Sequence, residues 1–259
     1  MKYSAIEFET ADGVAQLRLN RPESLNSFTD RMQAEVIEVL EQAAVDPVVR
    51  AVVITGNGRG FCAGQDLGAI AGSDDDLGDS VDKFYNPLVR LITTMPKPVL
   101  CAVNGVAAGA GANLALACDI VIAGKKASFI QPFAKLGLVT DTGGTWILPR
   151  LVGLARARGL AMLGPKISAD QAESWGMIWQ VVEDEALMDT VLKLARDMAT
   201  QPTRAFALQK QAFARSAVNS LDTQLDLERS LMSEAGKTDD YHEGVAAFLE
   251  KRAPVFKGK

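Results

Sequence analysis

The chain has 259 residues, 48% hydrophobic and 23% charged, with 27 basic against 32 acidic side chains and a net charge of −5. This excludes a disordered chain, and the scattered basic residues of an acidic chain argue against the cationic face that nucleic acid needs. A chain of this length hides roughly 70–75% of its unfolded surface, and no apolar run reaches the ~18 residues of a membrane span.

The first elements read as a hairpin, with half-alternating runs over residues 3–9 and 14–19 flanking Asp12-Gly13, a dipeptide suited to a two-residue turn. From Thr29, apolar residues recur at Met32, Val36, Val39, Leu40 and Ala43, one face of a helix. Ser27 and Asp30 have the spacing of a capping box, and Pro47 is the stop. Residues 51–55 are a continuous apolar run closed by Gly56, the pattern of a strand covered on both faces. The insertion over residues 72–79, with its Ser-Asp-Asp-Asp run, is expected to be a mobile surface loop and a candidate lid. Residues 99–103 form another buried strand after Pro96-Lys-Pro98. Residues 105–117 read as a glycine-rich turn feeding an Ala/Leu-rich helix, and 120–123 as the next strand. That β-α-β order predicts a mainly parallel sheet with right-handed crossovers and helices around it. After a last short strand within 178–182 the pattern is helical over 185–200, 203–217, 221–235 and 241–251, with breaks at Pro202 and Pro254. This tail either covers the core or supplies a subunit interface.

Two segments are suited to chemistry. Gly56-Asn-Gly-Arg-Gly-Phe-Cys-Ala-Gly-Gln-Asp-Leu67 follows a buried strand and can expose backbone N–H groups. Asn104-Gly-Val-Ala-Ala-Gly-Ala-Gly-Ala-Asn-Leu114 leads into a helix whose first N–H groups are unpaired. One donor from each turn can hold a single developing oxyanion, worth ~3 kcal/mol per donor. Neither turn carries a dinucleotide fingerprint or a P-loop, and no nucleophile elbow, calcium loop or zinc motif is present. The single histidine, His242, reads as a solvated helix residue, so the chemistry is expected to run without imidazole. Cys62, Cys101 and Cys118 read as buried reduced thiols, and with no apolar leader at the N-terminus they suggest a cytoplasmic protein.

Arg21-Pro-Glu-Ser-Leu-Asn26, Gly60-Phe-Cys-Ala-Gly-Gln-Asp-Leu67, Ala102-Val-Asn-Gly-Val-Ala-Ala-Gly-Ala-Gly111, Cys118-Asp-Ile120, Gly143-Gly-Thr145 and Ala247-Phe-Leu-Glu-Lys-Arg252 together resemble the crotonase, or enoyl-CoA hydratase/isomerase, superfamily. The resemblance spans nearly the whole chain. Within it, residues 84–90, 173–182 and 223–229 are most similar to the branch of ring-1,2-epoxyphenylacetyl-CoA isomerases of phenylacetate degradation. The resemblance implies an α/β fold, a crotonase-like spiral of ββα units with a C-terminal helical trimerisation region. Residues 1–195 would be the core with the acyl-CoA site, and 196–259 a helical part of the same folding unit. It implies an acyl-CoA substrate, a homotrimer or dimer of trimers, and no metal or cofactor beyond the coenzyme A of the substrate.

Matched motif to motif, the oxyanion donors fall on the N–H groups of Gln65 and Ala110. The coenzyme A chain would pass Ser24, Leu25, Asp66 and Leu67, with Phe248 and Lys251 near its nucleotide end from the same or a neighbouring subunit. As residues, Asp66 and Asp119 read more readily as turn-holding carboxylates. Hydratases of the family carry glutamates where this chain has Asn113 and Phe133, and neither of these transfers a proton at neutral pH. Asp141, before Thr-Gly-Gly, stands where ring-epoxide isomerases carry their catalytic aspartate. Read without the family, it is a turn or cap residue. Thr140 replaces the proline usual before it. Phe133, Leu136, Leu138 and Trp146 could line an aromatic acyl pocket and raise the aspartate's pKa by desolvation, or simply pack a core. The implied reaction is isomerisation of the ring epoxide to an oxepin thioester, with a possible shift of 3-enoyl double bonds to position 2. A Δ3,Δ2-enoyl-CoA isomerase of fatty-acid oxidation would use the same residues. Aryl-CoA dehalogenation through Asp141 is disfavoured because that branch has Trp where Phe133 stands. A non-catalytic acyl-CoA-binding protein remains the alternative from another class.

Overall fold

In the computed structural model, which describes residues 3–70 and 76–259, β1 (Ile6–Ala11) and β2 (Val14–Leu19) form the antiparallel hairpin. Asp12 and Gly13 both take positive φ, 52° and 76°, which matches the twist of a two-residue hairpin. α1 (Asp30–Val45) follows. Its cap is Thr29 and not Ser27: the Thr29 hydroxyl accepts from the Met32 N–H at 3.3 Å, while the Ser27 hydroxyl donates to Asp66. At the other end the buried Lys97 ammonium donates to the carbonyls of Ala43 and Asp46, at 2.5 and 2.6 Å, where the helix dipole favours a cation.

Beyond α1 the chain alternates longer and shorter strands. β3 (Ala51–Gly56) leads to β4 (Gly60–Cys62), β5 (Val99–Val103) to β6 (Val106–Ala108), and β7 (Ile120–Gly124) to β8 (Ser128–Ile130); β9 (Lys166–Ser168) and β10 (Gln180–Val182) come later. The longer members and β10 join the hairpin in a six-stranded sheet of order β1-β2-β3-β5-β7-β10, parallel except within the hairpin. The short ones build a second sheet of order β4-β6-β8-β9, which the sequence pattern does not show, because three residues are too few to display a period. Helices follow the strand pairs and complete the ββα spiral: α2 (Leu67–Ile70), α3 (Leu77–Ser80), α4 (Asn86–Thr94), α5 (Ala110–Ala117), α6 (Gly144–Leu163) and α7 (Ala169–Ser174). Pro149 and a non-helical Gly153 lie inside α6, which explains why no clean helical period marks it. Residues 72–75 of the expected loop lie outside the described residues. From Asp76, whose side chain accepts from the Gly78 N–H, the chain is helical and not a loop.

The continuous apolar runs are explained by two cores. Val52 and Ile54 of β3 face one with Val36, Val39 and Leu40 of α1, and Ala51 and Val53 face the other. That second core is closed by Leu187, Val191, Ala195 and Ala199, a single stripe along α8 (Leu187–Ala199), which runs through residue 195 without a break. The tail therefore starts by covering the sheet. It continues as α9 (Thr203–Ser216), α10 (Leu221–Ala235) and α11 (Asp239–Glu250).

Lys210 ties α9 down, donating to the carbonyls of Ile92 and Lys97 at 3.0 and 3.1 Å and pairing with Asp119 at 2.7 Å. Asp119 also accepts from the Val99 N–H at 2.8 Å, so it is a turn-holding carboxylate, and burial pushes its carboxyl up. Lys210→Met leaves these acceptors unmet. Because the Asp119 side chain keeps 26% exposure, the expected loss is about 2 kcal/mol and not the larger cost of breaking a fully buried pair. Urea unfolding checks it: an unchanged midpoint would show that Lys210 does not anchor the tail. No helix among the described residues is long and apolar enough to cross a membrane.

Candidate active site

The site is assembled from the two glycine turns. β4 pairs in parallel with β6, which brings the turn after each strand side by side. Gly64 has φ +87°, and a Cβ there would sit 2.8 Å from the Ala108 carbonyl oxygen and 3.5 Å from the Ala110 nitrogen. The amides of Gln65 and Ala110 are therefore neighbours. The Phe28 N–H donates to the Gly64 carbonyl at 2.7 Å, and the Asp66 N–H returns a bond to the Phe28 carbonyl at 2.9 Å. In a trans peptide the N–H points opposite to the C=O, so the bond to Gly64 aims the Gln65 N–H away from Phe28. Ala110 is the first residue of α5, after Gly109 at φ 55°, where N–H groups lack intrahelical partners. Neither N–H has a protein acceptor among the described residues.

The segment 21–26 is fastened to the first turn. Asn26, fully buried, donates to the carbonyls of Asn57 and Gly60 and accepts from the Arg21 N–H. The Ala63 N–H donates to the Leu25 carbonyl at 3.0 Å, which sets Ser24 and Leu25 beside the turn. Asp66 accepts from Arg21 at 2.9 Å, from the Ser27 hydroxyl and from the N–H groups of Gly68 and Ala69. The Arg21 guanidinium is the main cause holding the Asp66 carboxyl below the usual range. The carboxylate is thus fully engaged in holding the turn, and the half-exposed Leu67 opens α2 beside it.

Asp141 arrives from a loop anchored to α5. One helical turn after Ala110, the fully buried Asn113 donates to the Asp141 backbone carbonyl at 2.9 Å and accepts from Gln131 at 2.8 Å. A Cβ on Gly144 would fall 2.4 Å from the Asn113 amide nitrogen and 2.6 Å from Thr140 Cγ2, so this glycine is required for the loop to close on α5. Asn113, which the resemblance sets at a hydratase glutamate position, is a structural tie in this fold. Phe133, at the other, is buried with its ring 3.6 Å from a Cβ position on Gly109.

The Asp141 carboxyl is partly buried and, among the described residues, has one side-chain partner, the Thr142 hydroxyl, which donates at 2.8 Å. Burial raises its pKa; the Thr142 bond and a backbone bond lower it, and no cation among the described residues offsets the burial. A carboxylate so placed is a base whose acid limb lies above the ordinary carboxylate range. If it removes a proton, turnover falls as pH drops through the raised pKa. Thr142→Val deletes a bond that favours the charged form, so the acid limb of kcat/KM is expected at higher pH than in the wild type. A limb that stays or moves to lower pH would separate Asp141 from the pH dependence.

The structure thus brings Ser24, Leu25, Gln65, Asp66, Leu67, Ala110, Phe133 and Asp141 around two adjacent turns. Leu136, Leu138 and Trp146 stand open by 52, 41 and 45%, Trp146 under the Arg150 guanidinium, so they do not close a pocket within one chain. Phe248, 82% exposed, and Lys251 lie on the open face at the end of α11. His242 is exposed on the same helix, and all three cysteines are buried and free. Two polar residues near the site receive no role from the sequence, although Tyr85 lies within the singled-out stretch 84–90. Tyr85, buried, donates from its hydroxyl to the Gln65 side-chain oxygen. Gln33 of α1, fully buried, lies within reach of that hydroxyl, yet neither of its amide atoms completes a hydrogen bond among the described residues.

A family model described as enoyl-CoA hydratase/isomerase matches residues 9–259. The chain is 59% identical over 251 residues to the 1,2-epoxyphenylacetyl-CoA isomerase of Escherichia coli (strain K12), covering 95% of this chain and 96% of that protein. It is 38% identical over 246 residues to the 2,3-dehydroadipyl-CoA hydratase of the same organism, with 95% and 96% covered. An enoyl-CoA hydratase from Bacillus anthracis superposes with a TM-score of 0.92 at 33% identity, over 99% of this chain and 100% of that one. Sequence, spiral fold and paired glycine turns agree, and the chain belongs to the enoyl-CoA hydratase/isomerase family.

Proposed function

We propose that the protein isomerises ring-1,2-epoxyphenylacetyl-CoA to the oxepin thioester in phenylacetate catabolism. One observation carries this choice: beside Asp66, which Arg21 engages, the site holds one partly buried carboxylate with no cation partner among the described residues, Asp141, and the family's glutamate pair is replaced by Asn113 and Phe133. The 59% identity to an enzyme named for that reaction supports the substrate.

The thioester oxygen accepts from the N–H groups of Gln65 and Ala110. Asp141 takes the proton on the carbon next to the thioester. The electron pair conjugates with the carbonyl, and the charge gathers on the oxygen between the two donors. The carbon–carbon bond shared by the epoxide and the six-membered ring breaks, leaving the oxygen bonded to both carbons within a seven-membered ring, and the same carboxyl returns the proton to a carbon further along that ring. One proton leaves and one returns, so no water, redox cofactor or metal enters the balance. Ser24, Leu25, Leu67 and the backbone at Asp66 line the coenzyme A path, since the Asp66 side chain is engaged. Phe133 forms the inner wall for the acyl group, while Leu136, Leu138 and Trp146 form an outer rim that stays open within one chain.

Phe248 and Lys251 are assigned to the nucleotide end of a neighbouring subunit's coenzyme A, in a homotrimer or dimer of trimers built through the region from residue 196 on. The exposed apolar side chains of Leu221, Leu225, Met232, Val245, Phe248 and Leu249 support that assembly. Buried free thiols are consistent with a cytoplasmic setting.

The test compares kcat/KM for the ring-epoxide thioester with that for a linear 3-enoyl-CoA. The epoxide is expected to have the higher value. Equal or better turnover of the linear ester would favour a Δ3,Δ2-enoyl-CoA isomerase and overturn this assignment.

A further inference from the structure

Between α3 and α4 the helix widens. Residues 81–85 form a π-turn, and the Asn86 N–H donates to the Val81 carbonyl five residues back. The sequence supplies a reason: Pro87 has no N–H, and its ring crowds the carbonyl four residues earlier, that of Lys83, which disfavours an ordinary helical ladder here and is relieved by the wider turn. Such turns are rare and frequently sit at functional sites. Here the last residue of the π-turn, Tyr85, is buried, with its ring edge-on to Phe28 at 5.9 Å and its hydroxyl donating to the Gln65 side chain. Phe28 holds the peptide bonds on either side of Gln65 through the Gly64 carbonyl and the Asp66 N–H. Gln65 is therefore held twice, by its backbone from one partner and by its side chain from the other. Burial keeps the Tyr85 phenol protonated, so it remains a donor.

We propose that Tyr85 is a positioning residue for the thioester oxygen, placed by the π-turn before Pro87 so that its bond to Gln65 fixes the peptide N–H that meets the substrate. This rests on the proposed oxyanion role of Gln65 and Ala110. A loosened donor matters most when the oxygen carries full charge, so its loss lowers kcat more than it weakens binding.

The test uses Tyr85→Phe, which keeps the ring against Phe28, and Gln65→Leu, which removes the same bond from the other end and leaves the peptide N–H. Phenylacetyl-CoA carrying carbon-13 at the thioester carbonyl is bound to each protein and read by difference infrared spectroscopy, beside kcat and KM for isomerisation. Wild type is expected to lower the carbonyl frequency. Both variants are expected to lose part of that shift and about tenfold in kcat, with KM held within about twofold. The double variant is expected to be no worse than either single one. A full shift with wild-type kcat in Tyr85→Phe overturns the proposal, as does a rise in KM alone. If wild type itself shows no shift, the oxyanion role of Gln65 and Ala110 falls, and the positioning role falls with it.

Discussion

Asp141→Asn is expected to bind coenzyme A esters as the wild type does and to lose about 10²- to 10⁴-fold in turnover, the usual worth of a positioned acid or base. The substitution keeps the side-chain shape. It retains an oxygen able to accept from the Thr142 hydroxyl, and it leaves untouched the bond from Asn113 to the backbone carbonyl. What it removes is the ability to take and return a proton. Stability is expected to hold or rise slightly, because a partly buried charge with no cation beside it among the described residues is replaced by a neutral amide. Asn113 and Phe133 cannot substitute as bases. Turnover on the ring-epoxide thioester, with ester affinity measured separately, decides the matter: an undiminished rate would remove Asp141 from the mechanism.

Gly64→Ala is expected to damage stability and catalysis together. At φ +87° an L-residue is strained by about 1–2 kcal/mol. The added Cβ would also lie 2.8 Å from the Ala108 carbonyl oxygen. That oxygen belongs to the backbone of the second turn and cannot swing aside, so relief requires the two turns to part. A combined stability loss of about 3 kcal/mol follows. Turnover is expected to fall by about 10²- to 10³-fold as one donor leaves its place. Gly137→Ala serves as control: its φ is +74° with nothing within 4 Å, so it carries backbone strain alone, about 1 kcal/mol, and keeps its rate. If both variants lose stability equally and turn over normally, the contact between the two turns does not build the site.

The fold was legible wherever burial leaves a local pattern. The Asp12-Gly13 hairpin, the face of α1, the unbroken runs of β3 and β5 and the tail helices all follow from short-range periodicity and turn chemistry. The cap of α1 is ambiguous in the sequence, because Ser27 and Thr29 are both able to cap, and the structure uses Thr29. The choice is made by Asp66, 39 residues away, which takes the Ser27 hydroxyl. The second sheet was hidden in three-residue strands whose partners are remote in sequence, and α6 by Pro149 and Gly153.

The sequence by itself determined the family motifs, the two glycine turns, the absence of a glutamate pair and the presence of one aspartate before Thr-Gly-Gly. These are properties of residue type and spacing. Tertiary structure decided that Asn113 is a tie and not merely a missing acid, that the Asp66 carboxylate is engaged with Arg21 and Ser27, and that Tyr85 grips Gln65. It also left Phe248 and Lys251 on an open face. The physical reason is range. Periodicity records which face of one element is buried, whereas a hydrogen-bonded site joins groups 20 to 45 positions apart, and those meetings exist only once the spiral has closed.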